Sequence, residues 1–126
     1  MTAPTRILYV DDEPDIRLIV EMSLKMRPGT EVRTAESGEH ALDLLRRGDW
    51  QADLIMVDVM MPGLTGPDVL ARLRADPRFD GVPVVFVTAR ARPQDVRDYI
   101  DQGAKGVITK PFDPISLADQ VFALLD

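Results

Sequence analysis

Residues 53–70, DLIMVDVMMPGLTGPDVL, contain a strand, a sharp turn and the start of a helix. The apolar run Leu54–Val57 predicts a strand that is buried on both faces. Met61-Pro62-Gly63 breaks the chain, and Thr65 and Asp68 then have the spacing of a helix capping box. A buried strand that passes through a turn into a helix is the repeating unit of a parallel α/β sheet.

The same alternation extends to both ends of the chain. Strands are predicted at Ile7–Val10, Glu31–Ala35, Leu54–Val57, Val84–Val87 and Gly106–Thr109. Helices are predicted to begin near Pro14, Ser37, Thr65, Pro93 and Asp113, and the last should turn Ile115, Ala118, Val121, Phe122 and Leu125 inward. We therefore predict an α/β fold, a five-stranded parallel sheet flanked by five helices. Of two plausible topologies, the flavodoxin-like order 2-1-3-4-5 suits five strands and a partly polar second strand at the edge.

Length and composition indicate a single domain and argue against nucleic-acid binding, thiol chemistry and membrane insertion. A chain of 126 residues suits a single domain, and we expect it to span 1–126 with a core from about 6 to 125. The net charge of −6 makes direct binding to nucleic acid improbable. The absence of cysteine excludes disulfides and thiolate metal sites, and fits the cytoplasm. The sequence has no apolar run of ~18 residues, and its first residues lack the basic and apolar segments of a secretory signal, so we expect neither a membrane segment nor a signal peptide.

Five polar side chains follow the predicted strands. Asp11 and Asp12 come after the first strand, Asp58 after the third, Thr88 ends the fourth and Lys110 follows the fifth. Because open parallel sheets bind ligands beyond the carboxyl ends of their strands, we expect these groups to converge. Clustered carboxylates repel one another, and a hard cation such as Mg²⁺ relieves the repulsion. With the ammonium and hydroxyl groups, they form a site for a phosphoryl group, in which one carboxylate is the nucleophile.

Four stretches carry a family resemblance: ILYVDDEPDI, DLIMVDVMMPGLTGPDVL, VPVVFVTA and GAKGVITKPFDP. In order, spacing and placement the chain resembles the receiver domain of two-component response regulators, from residue 6 to about 125. The resemblance implies a signalling switch rather than an enzyme with its own substrate. A histidine kinase or histidine phosphotransfer protein would be the phosphoryl donor, and the phosphorylated domain would change its protein partner. The chain is similar to the stand-alone, chemotaxis-regulator-like type, so we expect no output domain.

The resemblance also implies roles for the clustered residues. Asp58 would be the phosphoryl acceptor. Mg²⁺ would be held by Asp12, Asp58 and the main-chain carbonyl of Met60, with Asp11 acting through a bound water. Lys110 would pair with the phosphoryl group or with Asp58.

Three further positions complete the implied switch. Thr88 would bind the phosphoryl group and move towards it, and Pro111 would follow a cis peptide bond that places the lysine. The family usually has an aromatic residue three positions before the lysine, where this chain has Val107. We therefore expect the signal to leave the site without the usual ring movement.

Other functions remain open at this point. The domain could pass the phosphoryl group onward as a phosphorelay intermediate, or be a receiver that is never phosphorylated. An Mg²⁺-dependent phosphatase of the dehalogenase type would need an acid two residues after its aspartyl nucleophile, where Met60 stands. A flavodoxin-type electron carrier would need a hydroxyl-rich phosphate loop after the first strand, where Asp11-Asp12-Glu13-Pro14 would repel phosphate.

Overall fold

A computed structural model describes residues 4–125, in which five strands and five helices alternate along the chain. The strands are β1 (Thr5–Val10), β2 (Thr30–Ala35), β3 (Leu54–Asp58), β4 (Val84–Thr88) and β5 (Gly106–Thr109). The helices are α1 (Pro14–Lys25), α2 (Gly38–Arg46), α3 (Gly66–Arg74), α4 (Pro93–Asp101) and α5 (Leu117–Leu125). None of these helices is long and apolar enough to span a bilayer.

All strand pairs are parallel, and the sheet has the order β2-β1-β3-β4-β5, which confirms the predicted topology. Every residue of β3 and β4 is buried, as expected for central strands covered on both faces. On one face, α1 and α5 pack against β1 and β3 through Val20, Leu24, Leu117, Val121 and Phe122. On the other face, residues of α2 and α3 cover the sheet. The parallel pairing of β1 with β3 within this sheet brings the carboxyl ends of the two strands side by side.

The loop between β3 and α3 is held by a capping box and by a close approach of Gly66 to the end of β3. The Thr65 hydroxyl accepts from the Asp68 N–H at 3.3 Å, and the Asp68 carboxylate accepts from the Thr65 N–H at 3.0 Å, which is the predicted capping box. Gly66 passes so close to β3 that an added Cβ would meet the Asp58 carbonyl oxygen at 2.9 Å. A side chain at this position would therefore displace the end of β3 or the start of α3.

The start of α5 differs from the prediction. The helix begins at Leu117 rather than at Asp113, and Ile115, predicted to face inward, is 77% exposed. The Asp113 carboxylate accepts the Ile115 N–H at 2.9 Å, and this local bond holds a turn in front of the helix. The predicted inward residues Ala118, Val121 and Phe122 are buried.

Candidate functional site

Three carboxylates converge at the carboxyl ends of β1 and β3. Asp11, Asp12 and Asp58 each offer one oxygen, and these oxygens lie within 4.8 Å of one another. The convergence follows from the pairing of β1 with β3, which places Val10 beside Val57 and so brings the residues that follow into proximity. Asp11 and Asp58 are buried, whereas Asp12 is exposed to solvent.

Lys110 reaches this cluster from β5. Its Nζ lies 2.9 Å from Asp58 Oδ2 and 3.0 Å from Asp11 Oδ2, so one ammonium group bridges two buried carboxylates. The resemblance implied contact between Lys110 and Asp58 but gave no indication of the second contact. The Lys110–Pro111 peptide bond is cis, the isomer that the resemblance implies.

Burial and hydrogen bonding set the charges of this ion pair. Burial raises the pKa of Asp58 above its ordinary value, because removal from water disfavours the carboxylate. Hydrogen bonds from Lys110 and from the Met60 N–H, which lies 3.1 Å from Asp58 Oδ1, only partly oppose that rise. Burial works to lower the pKa of Lys110, but hydrogen bonds to Asp58 and Asp11 outweigh it and raise the pKa.

Sequence reasoning missed one residue of the site, Tyr9. Its side chain is fully buried, and its hydroxyl donates to Asp11 Oδ2 at 2.6 Å. Burial and the adjacent carboxylate raise the pKa of Tyr9 above its usual value, so the phenol keeps its proton. The signal in the sequence was the spacing, since residues two apart on a strand point to the same face.

Thr88 ends β4 beside an open cavity. It is 2% exposed, and its Oγ1 accepts the backbone N–H of Arg90 at 3.0 Å. The cavity has a volume of about 740 Å³, and its wall includes Met60, Thr88, Arg90, Arg92 and Tyr99. The conformation of the β4–α4 loop is thus tied directly to the Thr88 hydroxyl.

The position where the family places an aromatic ring is occupied differently in this chain. Val107 pairs with Phe86 in the β4–β5 register and is half-buried. An aromatic ring on the cavity wall comes instead from α4, because Tyr99 packs edge-on against Phe86 with ring centroids 5.2 Å apart. The aromatic ring that lines the cavity together with Thr88 therefore belongs to α4 rather than to β5.

The donor set of the cluster fits a hard divalent cation. Its side-chain ligands are carboxylate oxygens, the donors that Mg²⁺ prefers, and the exposed Asp12 leaves an open side on which water ligands can remain. Lys110 supplies a fixed positive charge beside Asp58. The cluster can therefore accommodate a metal together with an anionic group such as a phosphoryl group.

Comparison with known proteins agrees with this geometry. Residues 7–122 match the family described as the response regulator receiver domain. The chain is 34% identical to chemotaxis protein CheY-3 of Vibrio cholerae over 116 residues, which cover 92% of this chain and 88% of that protein. It is 40% identical to the DNA-binding regulator RpaA of Synechocystis, a match that covers 95% of this chain but 48% of RpaA.

Solved structures of chemotaxis proteins have the same fold as this chain. Chemotaxis protein CheY4 of Vibrio cholerae superposes with a TM-score of 0.87 at 30% identity, covering 97% of this chain and 99% of that one. Receiver domains act as signalling switches and use Mg²⁺ at an acidic pocket. The fold, the acidic cluster and the family match together show that this chain belongs to the receiver domain family of two-component response regulators.

Proposed function

We propose that Asp58 of this receiver domain accepts a phosphoryl group from a histidine kinase or a histidine phosphotransfer protein, and that the modified domain changes its protein contacts. The observation that carries the proposal is the position of Asp58. One of its carboxylate oxygens lies within 4.8 Å of an oxygen of Asp11 and of Asp12, and its Oδ2 is paired with Lys110 Nζ at 2.9 Å. This arrangement combines a nucleophile, an oxygen-donor metal site and a cation for the transferred group.

The protein's own groups orient the nucleophile. The Met60 N–H holds Asp58 Oδ1, and Lys110 holds Oδ2, so the carboxylate is fixed before the donor arrives. In the transfer, an oxygen of Asp58 bonds to phosphorus as the bond from phosphorus to the donor's imidazole nitrogen breaks. Lys110 and the Thr88 hydroxyl then bind phosphoryl oxygens.

The proposed phosphoryl transfer requires Mg²⁺ at the acidic cluster. Asp12, Asp58 and the main-chain carbonyl of Met60 would hold Mg²⁺ directly, with Asp11 acting through a water. When bound, Mg²⁺ supplies positive charge that neutralises the phosphoryl oxygens. Pro111 has the supporting role of placing Lys110.

The proposed partners are protein molecules. Membership of the family supports a histidine kinase or a histidine phosphotransfer protein as the phosphoryl donor. RpaA is named as a DNA-binding protein, but this chain spans about half of it. We propose that the domain itself makes no direct contact with nucleic acid, consistent with its net charge of −6. Its stand-alone form and its cytoplasmic location stay predictions.

The proposal is tested by incubating the protein with acetyl phosphate and Mg²⁺. We expect the intact mass to increase by one phosphoryl group, and the modification to map to Asp58. Asp58→Asn should abolish the modification because an amide is a poor nucleophile, and chelation of Mg²⁺ should slow it greatly. The control Asp53→Asn, on an aspartate just before β3, should be modified like the wild type. Labelling of Asp58→Asn on a serine or threonine would contradict the assignment.

A related prediction concerns loss of the phosphoryl group. Met60 and Arg90 lie on the wall of the cavity that the attacking water would cross, and neither carries a carboxylate or amide that could orient this water. We expect slow self-dephosphorylation in the wild type. The double variant Met60→Asn, Arg90→Glu should lose the group faster, by up to about 100-fold, the lower end of the range for a positioned acid–base group.

The decay is measured by following the intact mass after the phosphodonor has been removed. The double variant Met60→Leu, Arg90→Lys serves as the control, because it changes both side chains without adding a carboxylate or an amide. Equal decay rates for the acidic variant and this control would show that water is not oriented from these positions.

A further inference from the structure

The Tyr9 hydroxyl sits at the boundary between an apolar layer and the acidic cluster. The side chain is fully buried, and it packs in the same cluster as Val20, Leu24 and Leu117. Burying a hydroxyl without a hydrogen-bond partner costs folding free energy, so a tyrosine buried in an apolar layer needs an acceptor for its hydroxyl. The acceptor here is Asp11, one of the three carboxylates of the site.

The hydrogen bonds of Asp11 are divided unevenly between its two oxygens. Oδ2 accepts from the Tyr9 hydroxyl at 2.6 Å and from Lys110 Nζ at 3.0 Å. Within residues 4–125, Oδ1 accepts a single hydrogen bond, from the Glu13 N–H at 3.0 Å. A carboxylate oxygen has about two lone-pair positions, so Oδ2 is filled and only Oδ1 keeps one free. Asp11 therefore faces a cation, or a water bound to it, through one oxygen.

This asymmetry affects the choice of metal. Ca²⁺ takes six to eight oxygen ligands and often binds a carboxylate through both of its oxygens. Mg²⁺ is smaller, requires near-octahedral geometry and keeps several of its waters. A carboxylate with one oxygen blocked is a poor bidentate ligand but a suitable acceptor for a metal-bound water.

We propose that Tyr9 is a specificity-determining positioning residue, which blocks Asp11 Oδ2 and so favours Mg²⁺ over Ca²⁺ at the acidic cluster. The inference rests on the proposed metal site. Tyr9 acts through Asp11 and does not touch the metal. Lys110 shares the same oxygen, but it also pairs with Asp58 and would bind the incoming phosphoryl group. Tyr9 is then the donor that stays on Asp11 Oδ2 throughout.

The test compares the affinities of the wild type and Tyr9→Phe for MgCl₂ and CaCl₂, measured by isothermal titration calorimetry in the absence of phosphodonor. The variant removes one oxygen and keeps the ring. We expect the ratio of the Ca²⁺ dissociation constant to the Mg²⁺ dissociation constant to fall about fivefold, a change that corresponds to one hydrogen bond. A purely structural role for Tyr9 would weaken both cations equally and leave the ratio unchanged, which would overturn the inference.

Tyr99→Phe is the matched control, because it removes a phenol hydroxyl from the other face of the sheet. Its ratio should equal that of the wild type, and an equal fall in both variants would contradict the assignment to Tyr9. If the wild type binds neither cation, the proposed metal site fails. If it binds Mg²⁺ and the Tyr9→Phe ratio is unchanged, only the present inference fails.

A second measurement uses the wild type alone and does not depend on how the variant folds. A buried hydroxyl proton in a short bond to a carboxylate exchanges slowly with water and is observed directly by proton NMR. We expect the Tyr9 hydroxyl resonance to persist when MgCl₂ saturates the site. Its disappearance on saturation would show that Tyr9 releases Asp11 in the metal-bound state and would overturn the inference.

Discussion

Replacing Lys110 with Met is expected to lower the free energy of unfolding of the metal-free protein by about 3 kcal/mol, the usual cost of leaving buried charge unpaired. Lys110 Nζ lies 2.9 Å from Asp58 Oδ2 and 3.0 Å from Asp11 Oδ2, and both carboxylates are buried. Met keeps much of the length and apolar packing of the lysine stem while removing its charge. Urea unfolding without Mg²⁺ measures the loss.

A double-mutant cycle with Asp58→Asn identifies the cause of this loss. Asp58→Asn alone should stabilise the metal-free protein by about 1–2 kcal/mol, because it removes one of several clustered negative charges. In the Lys110→Met background, Asp58→Asn should raise the free energy of unfolding by substantially more than it does in the wild type, because it then removes a carboxylate charge that has lost its lysine partner. Adding Mg²⁺ should also narrow the gap between Lys110→Met and the wild type, because the carboxylates left without the ammonium group attract the cation more strongly, so it stabilises the folded variant more than the wild type. Equal effects of Asp58→Asn in both backgrounds would contradict direct pairing.

The loss of stability caused by Lys110→Met should depend on pH and should be greater at neutral than at acidic pH. The folded-state pKa of Asp58 is raised, so the fold favours the protonated carboxyl. Ionisation of Asp58 therefore costs stability as the pH rises through the raised pKa, and this cost disappears below the ordinary value of 3.8. Removing Lys110 increases the cost of ionisation. The difference between Lys110→Met and the wild type should therefore be largest at neutral pH and should shrink as the pH falls.

The fold followed from the sequence because each central strand is a continuous apolar run. Such a run leaves no polar face, so burial on both sides and a parallel sheet are the consistent outcome. Placement of Asp11, Asp12, Asp58, Thr88 and Lys110 at strand ends then predicted a common edge, which the structure shows for the three carboxylates and Lys110. Their roles in phosphoryl transfer stay predictions.

The start of α5 was predicted wrongly, and two side-chain contacts of the site, Tyr9 with Asp11 and Lys110 with Asp11, were missed. The turn before α5 depends on one hydrogen bond from the Ile115 N–H to Asp113, and helix periodicity contains no information about it. Tyr9 was correctly placed in a buried strand, but the acceptor of its hydroxyl was missed, because apolar patterning does not show where the oxygen of a buried tyrosine finds a partner. The contact between Lys110 and Asp11 joins residues 99 positions apart and depends on the side-chain conformation of the lysine.

The largest expected effect on signalling comes from Thr88. Its Oγ1 accepts the Arg90 N–H at 3.0 Å, so movement of the hydroxyl towards a phosphoryl oxygen on Asp58 would pull directly on the β4–α4 loop. Val107 is short and stiff at its first side-chain torsion, and it cannot make the movement of an aromatic ring. We therefore expect the change to travel through Ala89–Pro93 into the start of α4, the segment that carries the two states of the switch.

The measurement is the change in backbone amide chemical shifts on adding beryllofluoride, a phosphoryl mimic, with Mg²⁺. In the wild type, shifts should be large from Ala89 to about Arg97, while Val107 should keep its side-chain rotamer. Thr88→Ala should still be phosphorylated, but its loop shifts should be clearly smaller than those of the wild type, because loss of one coupling contact weakens the coupling by about 0.5–2 kcal/mol. Thr88→Ser keeps the hydroxyl and should preserve the wild-type pattern. If Thr88→Ala gives the full wild-type shifts, the hydroxyl does not couple Asp58 to the loop, and the signal leaves the site by another route.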